Sequence, residues 1–197
     1  MNEAIISDGS RHPLATVVSP ANLVTLARLL CSPILFLFIL NASENRGVSW
    51  WSVVLGFVLA VSDILDGLLA RRRESVSRWG AFLDPFADKV VVVGAAFCLV
   101  NIDRFHLLPV LLLTVREFGI TGYRLYFASK GLSIPARNSA KWKTTVQGVA
   151  LMLAVLPPLE NIQWVVDAGL WTAVTFTIFT GFQYLFDGSR AASTTGQ

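Results

Sequence analysis

Six predominantly apolar runs, at 22–40, 50–73, 79–101, 107–128, 140–156 and 164–186, constrain this chain more than any other feature. A helix needs about twenty such residues to cross some 30 Å of hydrocarbon. The predicted fold is therefore all-α, a polytopic membrane protein with six transmembrane helices. The 197 residues would allow one or two soluble domains, but 54% are hydrophobic and only 15% charged, and the mean hydropathy is +0.59. The bilayer reading follows. No internal repeat or low-complexity linker divides the chain, and the expected organisation is an N-terminal segment (1–21), a six-helix domain (22–188) and a short tail (189–197). Residues 1–20 carry Pro13 and Pro20 and lack the basic leader, apolar core and cleavage site of a signal peptide. The fifth run is the shortest and stops at Pro157 and Pro158, which resist helix continuation.

Charge supplies the orientation. Arg71, Arg72 and Arg73 end the second run and Arg78 precedes the third, and Lys130 and Arg137 follow the fourth run with Lys141 and Lys143 at the start of the fifth, whereas the opposite loops hold only Arg46 and Arg104. The positive-inside rule puts both termini and the basic loops in the cytoplasm. The formal net charge of +3 and the pI near 9.1 then reflect this asymmetry and attraction to anionic membrane lipids. No interleaving of aromatic and basic residues suggests nucleic acid. Trp50 and Trp51 are expected interfacial anchors. Cys31 and Cys98 lie in apolar runs and read as small core residues, and His12 and His106 are isolated.

Against this background the segment 63–88, DILDGLLARRRESVSRWGAFLDPFAD, stands out. Asp63 and Asp66 are three apart, and Asp84 and Asp88 four apart, so each pair shares a helix face. Carboxylates in an apolar segment cost several kcal/mol unless they are paired or bind a cation, which makes them functional candidates. In an antiparallel hairpin turning near residues 74–77, Asp63 and Asp88 would lie roughly 15 Å deep and Asp66 and Asp84 roughly 9 Å deep. Four carboxylates with no nearby Cys or His suit Mg2+ or Mn2+ and are enough for two ions, which would clamp a phosphoryl group. Gly67 and Gly80 would let a bulky ligand approach the backbone, and Arg71 supplies a cation for phosphate. The bland alternative is an accidental acidic pair beside snorkelling arginines.

Two further polar sets need a reading. Asn22, Thr25 and Arg28 share a face at the start of the first run, as part of a site or as a capping Asn with a snorkelling Arg. In the fourth run Arg116 lies about 18 Å from the end at Ala128, too deep for easy snorkelling. Glu117 points about 100° away from it and is expected to orient another group, Arg28 being one option. Arg116, Arg124, Lys141 and Lys143 form either a structural ion-pair network or a pocket for a phosphate-bearing substrate.

Asp63, Asp66, Gly67, Ala70, Arg71, Gly80, Asp84 and Asp88 match every position of the D-x2-DG-x2-AR-x8-G-x3-D-x3-D signature, and on these residues the chain resembles the CDP-alcohol phosphotransferase family. The runs Arg116-Glu-Phe-x2-Thr-Gly-x-Arg124, Pro20-Ala-Asn22 to Thr25 to Arg28, and Lys141-x-Lys143-Thr144 look like its phosphatidylglycerophosphate synthase branch, with Ala140 departing from an expected glycine. The resemblance implies six transmembrane helices, usually in a homodimer, around a polar cavity open to the cytoplasm. It also implies transfer of a phosphatidyl group from CDP-diacylglycerol to sn-glycerol 3-phosphate, releasing CMP. Asp63, Asp66, Asp84 and Asp88 would hold two Mg2+ or Mn2+ ions, with Asp88 also the general base. Gly67, Ala70, Arg71 and Gly80, with Asn22 and Thr25, would shape the CDP site, and Arg116, Arg124, Lys141 and Lys143 would take the acceptor phosphate. Inositol phosphate or another alcohol is the alternative acceptor. A divalent-cation transporter would explain the aspartates but not Arg71, Arg116 and Arg124, and a noncatalytic scaffold would explain neither set.

Overall fold

The computed structural model describes residues 20–73, 80–129 and 138–195, which are helical and contain no strand. The six long helices are α1 Pro20–Asn41, α2 Trp50–Arg73, α3 Gly80–Asn101, α4 Leu107–Ser129, α5 Asn138–Val155 and α6 Gln163–Thr195, with 3-10 turns at Ser43–Asn45 and Pro157–Leu159. Both ends of the first five agree with the apolar runs to within two residues. The sixth differs, because α6 runs on through most of the expected tail and at 33 residues is about 50 Å long. Among the described residues, one helix, Gln163–Phe186, is long and apolar enough to cross a membrane by length and composition. The shorter apolar stretches are Thr25–Asn41, Trp50–Ser62 and Lys89–Asn101. Charged residues at Asp63, Asp66, Asp84, Asp88, Arg116 and Glu117 interrupt the other helices.

The packing inverts the usual arrangement of polarity. α1 packs against α3 and α2, α5 against α6, and α4 against α6 and α3, around Leu35, Ile39, Leu99, Val110, Val166, Leu170 and Val174. Yet the outward faces are apolar as well. Leu26, Leu30, Ile34 and Leu37 line one exposed stripe of α1, Leu108, Leu111, Leu112 and Val115 one of α4, and Phe179, Phe182 and Phe186 one of α6. Meanwhile Thr25, Arg28, Ser32, Arg104, Glu117, Gln147, Thr177 and Thr180 are buried. Helices that are hydrophobic all round and enclose polar groups belong in lipid rather than water.

Local chemistry keeps α1 intact. Pro33 sits inside it and cannot donate to the carbonyl of Leu29, but the hydroxyl of Ser32 donates to that oxygen at 2.9 Å. Farther along, the ring of Phe36 lies directly over Gly94, so α1 and α3 approach as closely as a missing side chain allows. Pro109 occupies the first turn of α4, where its missing N–H costs nothing.

One end of the bundle is stapled. Gly47 adopts φ +76°, and a side chain there would collide with Ile102. The Ser49 amide donates to the carbonyl of Val155 at 3.2 Å. Arg104, counted from the sequence simply as a loop charge, is instead fully buried. Its Nε donates to Ala154 O at 3.0 Å, Nη1 to Glu160 O at 2.9 Å and Gln163 Oε1 at 3.0 Å, and Nη2 to Leu159 O at 2.7 Å. Gln163 returns a bond to Arg104 O at 3.0 Å and donates to Asp167 at 2.9 Å. Burial, with the Arg46 charge, pulls the Arg104 pKa down, while Asp167 and Glu160 push it up. The guanidinium stays charged and caps carbonyls that helix ends leave orphaned. Because α1, α3 and α5 all finish at this end, successive helices alternate in direction, and the opposite end receives the starts of α3 and α5 and the finishes of α2 and α4.

Candidate active site

That opposite end gathers the residues singled out by sequence. Asp63 and Asp66 lie ten and seven residues before the finish of α2 at Arg73, and Asp84 and Asp88 four and eight residues after the start of α3 at Gly80. By helical rise the deeper members, Asp63 and Asp88, sit about 15 Å and 12 Å from those helix ends, matched to within one turn. Gly67, Ala70 and Arg71 follow on α2, Asn22 lies in the first turn of α1, Arg124 in the last turns of α4, and Lys141 in the first turn of α5. The side chains of these residues and of the four aspartates lie outside the described residues, as does the expected turn at 74–77. Among the described residues no three His, Cys, Asp or Glu side chains come together.

Thr25 and Arg28 are only 4% and 3% exposed, so Arg28 is not a snorkelling interfacial cation. With Ser32 they form a polar stripe on the inner face of α1, the helix that packs against both aspartate-bearing helices.

The part of this end whose side chains are described is a cluster around Glu117. Lys143 on α5 donates to both carboxylate oxygens, at 2.7 and 2.8 Å. Arg116 Nη1 reaches Oε1 at 3.1 Å, and Gln147 Nε2 lies 3.3 Å from the same atom. Arg116 Nη2 donates to Thr180 Oγ1 at 2.7 Å, and Gln147 Nε2 also reaches Thr177 Oγ1 at 3.1 Å, so α6 closes the cluster. The Arg116 stem crosses Gly181, where a Cβ would come within 3.3 Å of Nε. Glu117 does orient another group, as expected, but that group is Lys143, and Glu117 also meets Arg116, whose side chain is long enough to reach it despite the angular separation on α4. Gln147, Thr177, Thr180 and Gly181 were not anticipated. Their signal was modest: Gln147 follows Lys143 by four residues, and Thr177, Thr180 and Gly181 share one face of an apolar helix.

Among the described residues the cluster holds the cations Arg116 and Lys143 and the carboxylate Glu117, largely withdrawn from solvent, with side-chain exposures of 10% for Arg116 and 13% for Lys143. Guanidinium and ammonium donors brought together in this way are chemically matched to the oxygens of a phosphate.

A family model described as CDP-alcohol phosphatidyltransferase matches residues 18–190. The CDP-diacylglycerol–glycerol-3-phosphate 3-phosphatidyltransferase of Bacillus subtilis (strain 168) is 33% identical over 186 residues, covering 88% of this chain and 96% of that protein. The enzyme of the same name from Rickettsia typhi is 35% identical over 169 residues, covering 83% and 93%. Among solved structures, Mycobacterium tuberculosis phosphatidylinositol phosphate synthase with CDP-DAG bound superposes with a TM-score of 0.63 at 18% identity, covering 89% of each chain. A second structure of that protein, in complex with manganese and citrate, gives 0.61, with coverage of 89% and 84%. At that identity the likeness speaks to the fold alone.

Proposed function

The chain belongs to the CDP-alcohol phosphatidyltransferase family, and from that premise we infer that it transfers a phosphatidyl group from CDP-diacylglycerol to sn-glycerol 3-phosphate. The products are phosphatidylglycerophosphate and CMP, and the enzyme is a transferase of phospholipid biosynthesis. The observation that carries the reading is the agreement over nearly the whole length with relatives named for this reaction, joined to a cationic cluster suited to a phosphate-bearing acceptor.

All six helices are read as membrane spans. The exposed apolar stripes support this, as do Trp50, Trp51 and Trp164 at the stapled end and Trp142 at the other, all at least 60% exposed. The basic segments support a site at the cytoplasmic face, where a water-soluble acceptor arrives while the lipid donor stays in the bilayer. A homodimer is the assembly expected from the family resemblance.

The donor set suits divalent metal: four aspartates, all oxygen ligands, on helix segments that meet one end of the bundle at matched depths. Asp63, Asp66, Asp84 and Asp88 would hold two Mg2+ or Mn2+ ions. When bound, these would neutralise charge on the pyrophosphate and on the departing CMP. Gly67, Ala70 and Gly80 leave space for the nucleotide, Arg71 takes a phosphate oxygen, and Asn22 and Thr25 border the same pocket. Arg116, Arg124, Lys141 and Lys143 bind the acceptor phosphate and orient its free hydroxyl. Asp88 accepts that hydroxyl's proton as the oxygen attacks the phosphorus bearing diacylglycerol, and the bond from that phosphorus to CMP breaks. Purified protein should release CMP from CDP-diacylglycerol with glycerol 3-phosphate, and outpace the reaction with inositol phosphate in direct competition. Preference for inositol phosphate would reassign the acceptor, and cation flux in proteoliposomes without CMP release from any acceptor would overturn the transferase reading.

A further inference from the structure

We propose that Thr180 and Gly181 of α6 are positioning residues for the acceptor: they set the aim of the Arg116 guanidinium and, through it, the affinity for the acceptor phosphate. The inference rests on the acceptor-site reading of Arg116 above and gives a part in it to α6, a helix on which that reading places no binding residue. α4 and α6 pack against each other, and here the long side chain of Arg116 bridges them. Nη2 donates to Thr180 Oγ1 at 2.7 Å, while Nη1 meets Glu117 at 3.1 Å. The shorter bond is the one to α6.

Thr180 is arranged as an acceptor. It is fully buried, and an arginine can only donate to it. Its own proton goes back to α6, where the carbonyl oxygens of Phe176 and Thr177 each lie 3.0 Å away. The lone pairs of the hydroxyl are thereby held toward the guanidinium, and the group cannot turn away without giving up a buried bond. Gly181 supplies the passage for the stem. A Cβ there would stand 3.3 Å from Arg116 Nε, 3.4 Å from Cγ and 3.9 Å from Cδ, so the missing side chain lets the stem lie close along α6. Glycine is costly in a helix interior, and this close approach gives it a use. Nε itself is buried against that helix without an acceptor among the described residues. Arg104, whose three nitrogens all find acceptors, shows how this fold treats a guanidinium that only holds helices together. At Arg116 one bond is forgone and the direction of the group is fixed instead, as a donor presented to a ligand requires.

The test is the KM for each substrate, measured as CMP release. Thr180→Val keeps the shape of the side chain and removes the acceptor oxygen. The KM for glycerol 3-phosphate should rise about tenfold, the lower end of what a hydrogen bond to a charged group contributes, and the KM for CDP-diacylglycerol should not move. Thr180→Ser, which restores the oxygen, should return the wild-type value. Gly181→Ala presses a methyl group on the Arg116 stem and should raise the same constant by less. Alanine favours a helix interior, so the Tm of that variant should not fall, and weaker acceptor binding in an undiminished fold is not an effect of lost packing. In an Arg116→Ala background Thr180→Val should add nothing further, because the group it aims is gone. An acceptor KM unchanged in either α6 variant, equal changes in both KM values, or a loss that adds to that of Arg116→Ala would overturn the proposal. If Arg116→Ala lacks turnover, calorimetry with inorganic phosphate supplies the same comparison, and Gly181→Ala decides if Thr180→Val does not fold. An unchanged KM for glycerol 3-phosphate in Arg116→Ala would defeat the acceptor-site reading itself, whereas a raised one there with no change in the α6 variants would defeat only the positioning role.

Discussion

Replacing Arg104 with leucine should destabilise the bundle without touching the chemistry. The side chain makes four hydrogen bonds of 2.7–3.0 Å, three of them to backbone carbonyls at the finish of α5 and the turn that follows. Bonds to a charged group contribute roughly 1.5–3 kcal/mol each. The sum is not additive, and it is offset by the cost of burying the guanidinium and by water reaching the freed carbonyls, which leaves about 3 kcal/mol. For a chain of this size that corresponds to a Tm lower by roughly 6–12 °C. Arg104→Lys keeps the charge but cannot fork toward four acceptors, so about half the loss is expected. Thermal unfolding in detergent, followed by loss of the monodisperse peak, would measure both. The site lies about one helix length away, so kcat at a temperature well below Tm should match wild type. A Tm within about 2 °C of wild type would refute the stapling argument, and so would a loss of kcat in protein that melts normally.

Asp88→Asn should abolish turnover while leaving CDP-diacylglycerol binding largely intact, whereas Asp63→Ala should also lose metal-dependent binding of CDP, as calorimetry with CDP and Mg2+ would record. Normal turnover by Asp88→Asn would remove that residue from proton transfer. In a background lacking Cys31 and Cys98, Ser43→Cys should react with an impermeant thiol reagent in intact cells, and Ser75→Cys and Ser133→Cys should not. Labelling at position 75 from outside would invert the topology.

Much of the architecture was legible because the relevant signals are local. Apolar runs bounded by Trp50, Pro109 and the Pro157–Pro158 pair mark helices by composition, and the aspartates at three- and four-residue spacing identify a shared face. What was hidden depends on pairing across long stretches of chain. Lys143 and Glu117 are 26 residues apart, and Arg104 and Leu159 are 55 apart. No periodicity encodes such contacts, and a lone loop arginine or a threonine in an apolar helix looks the same whether it caps a neighbour or faces lipid. Glu117 shows the limit most clearly: helical geometry gave the direction of its Cβ, but the contact with Arg116 is made by the far end of a side chain long enough to double back.

The bond from Ser32 to the carbonyl that Pro33 leaves unserved ties two adjacent positions into one heritable unit. A serine lost alone strands that carbonyl in an apolar helix, a cost of about 1–3 kcal/mol. If the proline goes first, the backbone recovers its own bond and the hydroxyl becomes expendable. The order of substitution therefore matters, and lineages can leave the pair through only one door.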